Sequence, residues 1–543
     1  MIASARWAGS PWVLAGLVLL AAAFRMHHID ALELWHDEAN SMFEANGLNY
    51  VGNAPEQGFT KADLPAFNTA ANAIRACVFI DSGNGSLYVL LLHCWSLLFG
   101  NTPLALRSLS VLFALLAIFM TYRLSRELFR DDLAALISAA LMAASPICIG
   151  QSQQVRSYML ALFLSLWATT LLFRMLRSER PGTWTILAYA ALVLASMLSH
   201  YSTCYVFLVH PIIALILGTP LKSILRILSG GLLALVLFMV WMAAAGSEGL
   251  EQMRLYNQYY VDQVNINPFT GSFFTATDLR TIAEGWARQL LWVIGNSGQF
   301  LGARLRVLAL LLLIPGALLV ASIVRAKEIA DRRILLSLCI LLFSSMCYAT
   351  ALAVISGHTV SFQPHYAVFA APYGALLLGA AIAQLRSKSG MLGNAKVVVV
   401  VAFFAGQLLM EFTVRTSRAI EPNNYSAYRE HLRLAIERYG QDKIMAVHSS
   451  RSAAYQCALF AGPEANSLQH FVDPAYPQIS GLIVERGNAR WSVVLRPRNP
   501  RYHRSVPMDD HTWKLDYGAA ASLPDSSDAW QPVALGMATV PAP

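Results

Sequence analysis

Two carboxylates, Asp37 and Glu38, stand side by side a few residues after the first apolar run (residues 7–24) of a 543-residue chain that is 56% hydrophobic and only 13% charged. At the edge of such a run a carboxylate keeps its charge by staying near water, where it accepts a proton from an attacking hydroxyl or helps hold a divalent cation. A second group follows residue 145. There Pro146 ends a helix, and Gln151, Gln154, Arg156 and Tyr158 precede the next apolar run. The Arg156 guanidinium is a fixed fork of donors suited to a phosphate, and glutamine amides bond sugar or headgroup oxygens. Arg107 lies just inside an apolar run, where a charge is costly and usually faces a cavity. His200 and Tyr201 join two runs, and His358, His365 and Tyr366 occupy a comparable turn. Neutral imidazoles in such places ligate metals or bond phosphates. Each group also has a plainer reading: a solvated acidic pair, an arginine snorkelling to water, a solvated interfacial histidine.

These side chains need a scaffold, and composition says which kind. A bilayer core of about 30 Å takes roughly 17–25 apolar residues per helix. Apolar runs recur at 7–24, 103–122, 133–149, 158–173, 183–198, 201–217, 227–245, 307–324, 334–355, 366–382 and 397–410. The expected fold is an α-helical polytopic membrane protein of about eleven spans (residues 1–413) with a small C-terminal α/β domain (414–543). Lysines and arginines concentrate in alternate connections, among them Arg123, Arg126 and Arg130, then Arg174, Arg177 and Arg180, then Arg325, Lys327, Arg332 and Arg333. The positive-inside rule makes these cytoplasmic, as it does the N-terminus, and puts the C-terminal domain outside. The outer side then owns a first loop (31–102), a long loop (246–306) and nearly all the unusual polar residues.

Within the first loop, residues 87–99 are apolar but short for a span and suit a helix lying at the interface. The long loop carries Tyr256, Tyr259, Tyr260, Asn265 and Asn267, types suited to sugar faces and hydroxyls. In the C-terminal part, residues 426–439 have helical spacing, and 443–448, 482–484 and 491–495 look like strands. Run 7–24 is read as a retained first helix, since one arginine precedes it and no convincing cleavage site follows. The net charge of +8 lies in short loops and reports orientation, so no nucleic-acid partner is expected. Seven scattered cysteines offer neither a disulfide framework nor a cysteine metal site. No Walker loop, GxGxxG, HExxH or nucleophile elbow is present.

The order of features has a resemblance. An acidic pair after the first run, LYVLLLHCWSLLFG (87–100), LALRSLSVLFALL (104–116), SPICIGQSQQVRSYML (145–160) and SHY (199–201) together resemble the membrane-embedded GT-C glycosyltransferases. The nearest branch is that of protein O-mannosyltransferase-like and aminoarabinose transferase-like enzymes of bacterial envelopes. The resemblance implies inverting transfer of a sugar from a polyprenyl-phosphate donor to an envelope lipid, glycan or protein acceptor at the outer face of the inner membrane. It implies Asp37 as the general base or acceptor-orienting carboxylate, with Glu38 in support. Arg156 and Arg107, with His365 and Tyr366, would meet the carrier phosphate. Gln151, Gln154, Tyr158, His200, Tyr201, Tyr88, Tyr259 and Tyr260 are the expected substrate contacts.

Two departures stand out. Gly83, Asn84, Gly85 and Ser86 replace a charged residue and Pro-Pro common in relatives, so where a metal is bound in that region its ligand is either missing or replaced, with Asp81 the candidate replacement. His365–Tyr366 replaces an Arg-Tyr pair, so one phosphate contact is weakened. A divalent metal therefore stays an open question. The competing class is a transporter or flippase of lipid-linked sugar, against which no repeated half or pair of broken spans is evident; a non-catalytic relative is a third.

Overall fold

The computed structural model describes residues 10–30, 34, 36–48, 60–178, 181–266, 276–294 and 331–387. In the C-terminal part it describes 432, 436–437, 440–448, 451–460, 465, 467–472, 480–486, 489–494, 521–522 and 533–534. Packing divides the chain into two compact units. One holds Met1–Ile29 and Asp81–Arg415, the other Asp30–Ile80 and Thr416–Pro543. The first outer loop, expected to belong whole to the membrane part, is thus split after Ile80.

The first unit is helical. Its elements are α1 (Pro11–Met26), the end of α3 (Ala70–Asp81), α4 (Ser86–Phe99), α5 (Pro103–Phe129), α6 (Asp132–Ala144), α7 (Pro146–Ser152), α8 (Tyr158–Arg177) and α9 (Thr183–Ser199). They continue with α10 (Cys204–Leu208), α11 (His210–Ile216), α12 (Leu221–Ile266), α13 (Leu279–Ile294), α14 (Arg332–Ser356), α15 (Pro364–Ala367) and α16 (Ala371–Ser387). Local chemistry sets the boundaries. Thr102 caps α5 by accepting from the Ala105 N–H at 3.2 Å, with Pro103 in the first turn. Asp131 does the same for α6 through Ala134 at 2.9 Å.

Four described helices are long and apolar enough to cross a bilayer, Pro103–Phe129, Tyr158–Arg177, Leu221–Ala245 and Arg332–Ser356, and we read them as spans. A fifth is the pair α6–α7, bent by 59°. The runs at 7–24, 183–198, 201–217 and 366–382 form shorter apolar helices, and 201–217 is interrupted, beginning as a 3-10 turn before α10 and α11. Runs 307–324 and 397–410 lie outside the described residues. The long outer loop is corrected: α12 runs 46 residues to Ile266, carrying Tyr259 and Tyr260, and α13 occupies Leu279–Ile294.

The bend in α6–α7 has an identifiable cause and an identifiable remedy. Pro146 has no N–H, so the Met142 carbonyl loses its helical donor and its neighbour loses alignment. Arg25, 0% exposed, donates to the Met142 carbonyl at 3.4 Å and the Ala143 carbonyl at 3.0 Å. A buried cation thus answers the negative end of a broken helix. Around this joint α5 packs on α8 and α6, α8 on α9, α9 on α12, and α6 on α16. The α6–α16 crossing is close because Gly379 has no side chain. A Cβ there would stand 2.1 Å from Ser138 Oγ and 2.9 Å from the Ala134 carbonyl oxygen.

In the second unit, α2 (His36–Ala45) is enclosed on nearly all sides, and its Phe43 ring lies 5.8 Å from Tyr455 of α17 (Arg451–Phe460). The sheet has order β2–β1–β3–β4–β5, with β1 (Ile444–His448), β2 (Gln469–Val472), β3 (Ser480–Arg486), β4 (Ala489–Val494) and β5 (Ala521–Ser522); β6 (Val533–Ala534) also pairs with β4. β1 is parallel to β2 and antiparallel to β3. The three strands expected from sequence fall on β1, β3 and β4. Of the helix expected at 426–439, Leu432, Ile436 and Glu437 are described and helical. Parallel register sets Ala446 opposite His470, so His448, two residues on, shares that face, and the two buried imidazoles meet at 3.1 Å.

Two outcomes follow. Gly379→Ala forces backbone apart at the α6–α16 crossing and lowers stability by about 1–3 kcal/mol, seen as a lower melting temperature in detergent; an unchanged value contradicts the crossing. Burial holds both paired imidazoles neutral, His448 well below the usual range and His470 down to about 4, with the Lys61 charge adding to the latter. Their unfolded forms take up protons first, so stability of this unit is lost as pH falls from about 6.5 towards 4, on the order of 1–3 kcal/mol. Hydrogen exchange of β1 and β2 at pH 7 and pH 5, corrected for intrinsic rates, measures it.

Candidate functional site

The connection between α7 and α8 brings Arg156 to the middle of an aromatic cluster. Its backbone is pinned from α5, where the Ser110 hydroxyl donates to the Arg156 carbonyl at 3.3 Å and shares a 2.9 Å hydrogen bond with the Tyr88 hydroxyl of α4. Its guanidinium, with the residue 9% exposed, bonds the Asp81 carboxylate at 2.9 Å and lies 5.9 Å from the centre of the Tyr158 ring. Tyr158 is flanked by His200 at 5.1 Å and by His365, stacked at 5.0 Å; Tyr366 lies beyond, 6.0 Å from His200 and 4.3 Å from His365. Residues from three separate turns therefore meet, Arg156 and Tyr158, then His200, then His365 and Tyr366, with Tyr88 of α4 linked to them through Ser110.

Electrostatics gives these members distinct roles. Burial, and then the Arg156 charge, push His200 down to about 3. Burial likewise holds His365 well below its usual range, followed by His200 and Arg156. Both rings are neutral at any pH near 7, so the fixed positive charge among these rings is that of Arg156. In poorly hydrated surroundings such a fork attracts an anion more strongly than it would in water, and Asp81 holds it in place.

The Ser82–Gly85 turn wraps the His200–Tyr201 turn. Asn84 Oδ1 accepts from the Tyr201 N–H at 2.9 Å, and the Tyr201 hydroxyl donates to the Ser82 carbonyl at 3.1 Å and accepts from Trp241 at 3.2 Å. Ser82, Gly83 and Gly85 all have positive φ (56°, 75° and 89°), which Pro-Pro forbids and glycine permits. Tyr201 is thereby tied into this turn. Gln154 is half-buried.

The remaining candidates lie on other elements. Asp37 and Glu38 lie in the first turn of α2 in the second unit, where the positive end of the helix dipole favours negative charge. Asp37 is half-buried, but Glu38 is 1% exposed, so the solvated reading does not hold for it. Arg107 is buried and donates to the Ile29 carbonyl at 2.6 Å, bracing the exit of α1. His358 bonds Asn257 of the α12 extension at 3.2 Å. Tyr259 and Tyr260 lie on that extension. As for a metal, no group of three or more His, Cys, Asp or Glu side chains among the described residues is placed to hold one. Asp81, the candidate replacement ligand, is engaged by Arg156.

Sequence reasoning passed over Arg25 and the Asp81–Arg156 pairing. The rule that singled out Arg107, a charge inside an apolar run, applies equally to Arg25. The pairing joins residues 75 apart and has no local signal.

Residues 86–243 match the family described as dolichyl-phosphate-mannose-protein mannosyltransferase, in keeping with the GT-C resemblance. That segment carries Tyr88, Arg107, Gln151, Arg156, Tyr158, His200 and Tyr201. No curated protein matches the chain. Among solved structures the chain is similar to ArnT from Cupriavidus metallidurans bound to undecaprenyl phosphate, at 13% identity and TM-score 0.47, covering 81% of this chain and 83% of that one. ArnT in the apo state gives 12%, 0.49 and 85% of each chain. The oligosaccharyltransferase AglB from Archaeoglobus fulgidus, with an inhibitory peptide and a dolichol-phosphate, gives 13% and 0.42, covering 86% of this chain and 61% of that one.

Asp81→Asn is expected to cost about 1–3 kcal/mol, because it leaves a largely buried guanidinium without its counter-charge. Adding Arg156→Gln then costs little more. Melting temperatures of the two single variants and the double variant test this, and additive losses would contradict the pair.

Proposed function

We propose that the chain is an inverting glycosyltransferase that takes a sugar from a polyprenyl-phosphate-linked donor to an envelope lipid, glycan or protein acceptor on the outer face of the bacterial inner membrane. The observation that carries this is Arg156: one fixed cation, largely out of water, among neutral aromatic and imidazole rings, within the segment that matches a lipid-phosphate-dependent mannosyltransferase family. A lipid-linked donor leaves as a phosphate, and a cation already in place stabilises that developing charge without reorganising.

In this reading an acceptor hydroxyl oxygen attacks the anomeric carbon as the bond from that carbon to the phosphate oxygen breaks. The electron pair leaves on the phosphate, against Arg156, and inversion follows from attack opposite the leaving group. The acceptor's proton passes to a carboxylate, for which Asp37 is the candidate, with Glu38 in support. Arg107, Gln154, Tyr201, Tyr259 and Tyr260 are proposed supporting contacts to donor or acceptor. The N-terminus is proposed to be cytoplasmic, with the C-terminal sheet outside. The alternative, a carrier that moves lipid-linked sugar across the bilayer, draws support from the bent α6–α7 pair, yet alternating access uses broken spans in matching halves.

Transfer of radiolabelled sugar from polyprenyl-phosphate-linked donors to an envelope extract, by the purified protein in detergent, tests the proposal. The parent transfers label. Asp37→Asn loses about 10²–10⁴-fold, the usual worth of a general base. Arg156→Gln loses about 10²–10³-fold, the usual worth of one oxyanion donor. No transfer by the parent, together with movement of lipid-linked sugar across vesicles, favours the carrier.

A further inference from the structure

We infer that Gln289 of α13, with Gln151 of α7, is a specificity-determining residue that binds the glycosyl group of the donor through its hydroxyls. This rests on the proposed glycosyltransferase reading and adds a residue that nothing local in the chain singles out. α13 buries one stripe of its surface: Gly285, Gln289, Trp292 and Val293 are buried, while Arg280 and Glu284 form an ion pair on the exposed face. Gln289 interrupts that apolar stripe at 0% exposure, and neither its Oε1 nor its Nε2 has a hydrogen-bond partner among the described residues. Gln151 is 7% exposed, and its Oε1 likewise has none. A buried amide that merely bridged helices would be bonded to them, since an unmet polar group is costly.

Position ties both amides to the Arg156 cluster. One turn before Gln289, Gly285 lies against the Phe362 ring, where a Cβ would come within 2.6 Å; one turn after, Val293 lies against Gly374 at 2.4 Å from such a Cβ. Phe362 and Gly374 bracket α15, so Gln289 stands level with the segment that carries His365. α13 packs against both α15 and α7, and α7 packs against α15. His365 stacks on Tyr158, and Gln151 stands five residues before Arg156.

The kind of ligand follows from counting donors and acceptors. The unmet atoms are two carbonyl oxygens and one amide N–H group. A phosphate brings only acceptors and would meet two more of them. A group with several hydroxyls supplies donors to both oxygens and an acceptor to the amide. The glycosyl moiety fits this, while the phosphate falls to Arg156.

Binding of two probes to the full chain in detergent tests the inference: undecaprenyl phosphate alone, and a panel of undecaprenyl-phosphate-linked hexoses. Gln289→Met, close to glutamine in length and without its hydrogen bonding, is expected to weaken binding of the preferred hexose-linked lipid about 10-fold. Its affinity for undecaprenyl phosphate stays within about 2-fold and its melting temperature is no lower than the parent's, since an unmet buried amide has gone. Gln151→Met behaves the same way, whereas Arg156→Gln weakens both lipids. Unchanged binding of the hexose-linked lipid, equal weakening of both lipids, or a collapsed melting temperature for Gln289→Met would each overturn the inference and leave the reading standing. If the parent binds neither lipid, the reading itself fails, and the inference with it.

Discussion

A guanidinium held largely out of water has to be answered, and at Arg156 the answer is the Asp81 carboxylate at 2.9 Å, with the Tyr158 ring 5.9 Å away. At the dielectric typical near a protein surface, two unit charges about 4 Å apart attract by about 4 kcal/mol before desolvation is subtracted. That is enough to order the connection between α7 and α8, and small enough for a phosphate of equal or greater charge to compete for the same fork. The neutral state of His200 and His365 belongs to the same balance. Two further cations beside Arg156 would repel it, and burial keeps them uncharged.

The rest of the first unit can be understood as what it takes to present this arrangement. Pro146 breaks a span so that its second half ends at the buried Gln151 and Ser152, just before the connection that carries Arg156. Arg25 repairs the break by supplying donors to the carbonyls that the proline left unmet. Gly379 lets α16 come against α6. The Ser82–Gly85 turn, in backbone conformations closed to proline, fixes the His200–Tyr201 turn from the other side. Buried cations thus do two jobs here: Arg25 completes a helix end, and Arg156, held by Asp81, supplies the charge of the proposed phosphate site.

Much of this was legible in the chain. The apolar runs were readable because bilayer thickness sets their length, and most of the described helices fall on them. Arg156, Tyr158, His200, His365 and Tyr366 were each picked out by type and by position at a run's end, and the structure brings them together. What was not legible is long-range. Nothing local to Asp81 or Arg156 says that they pair, and nothing in residues 30–80 says that they group with the C-terminal sheet rather than with the spans. The long outer loop was expected only as a connection, and its polar residues mask a helix that simply continues past the apolar part of α12. Gln289 was invisible for a different reason: a glutamine on an amphipathic helix is ordinary until its burial is known. The acidic pair was half-read, since its place at a helix start and the burial of Glu38 both depend on α2 being enclosed.

The central claim is that Arg156 is the phosphate-binding cation. The most direct test is a cryo-electron microscopy structure of the full chain with undecaprenyl phosphate. The account predicts phosphate density within about 3 Å of the Arg156 guanidinium, the spacing of a charge-assisted hydrogen bond, with the Tyr158 ring still beside it. Phosphate density away from Arg156, with the guanidinium still bonded to Asp81, would contradict it.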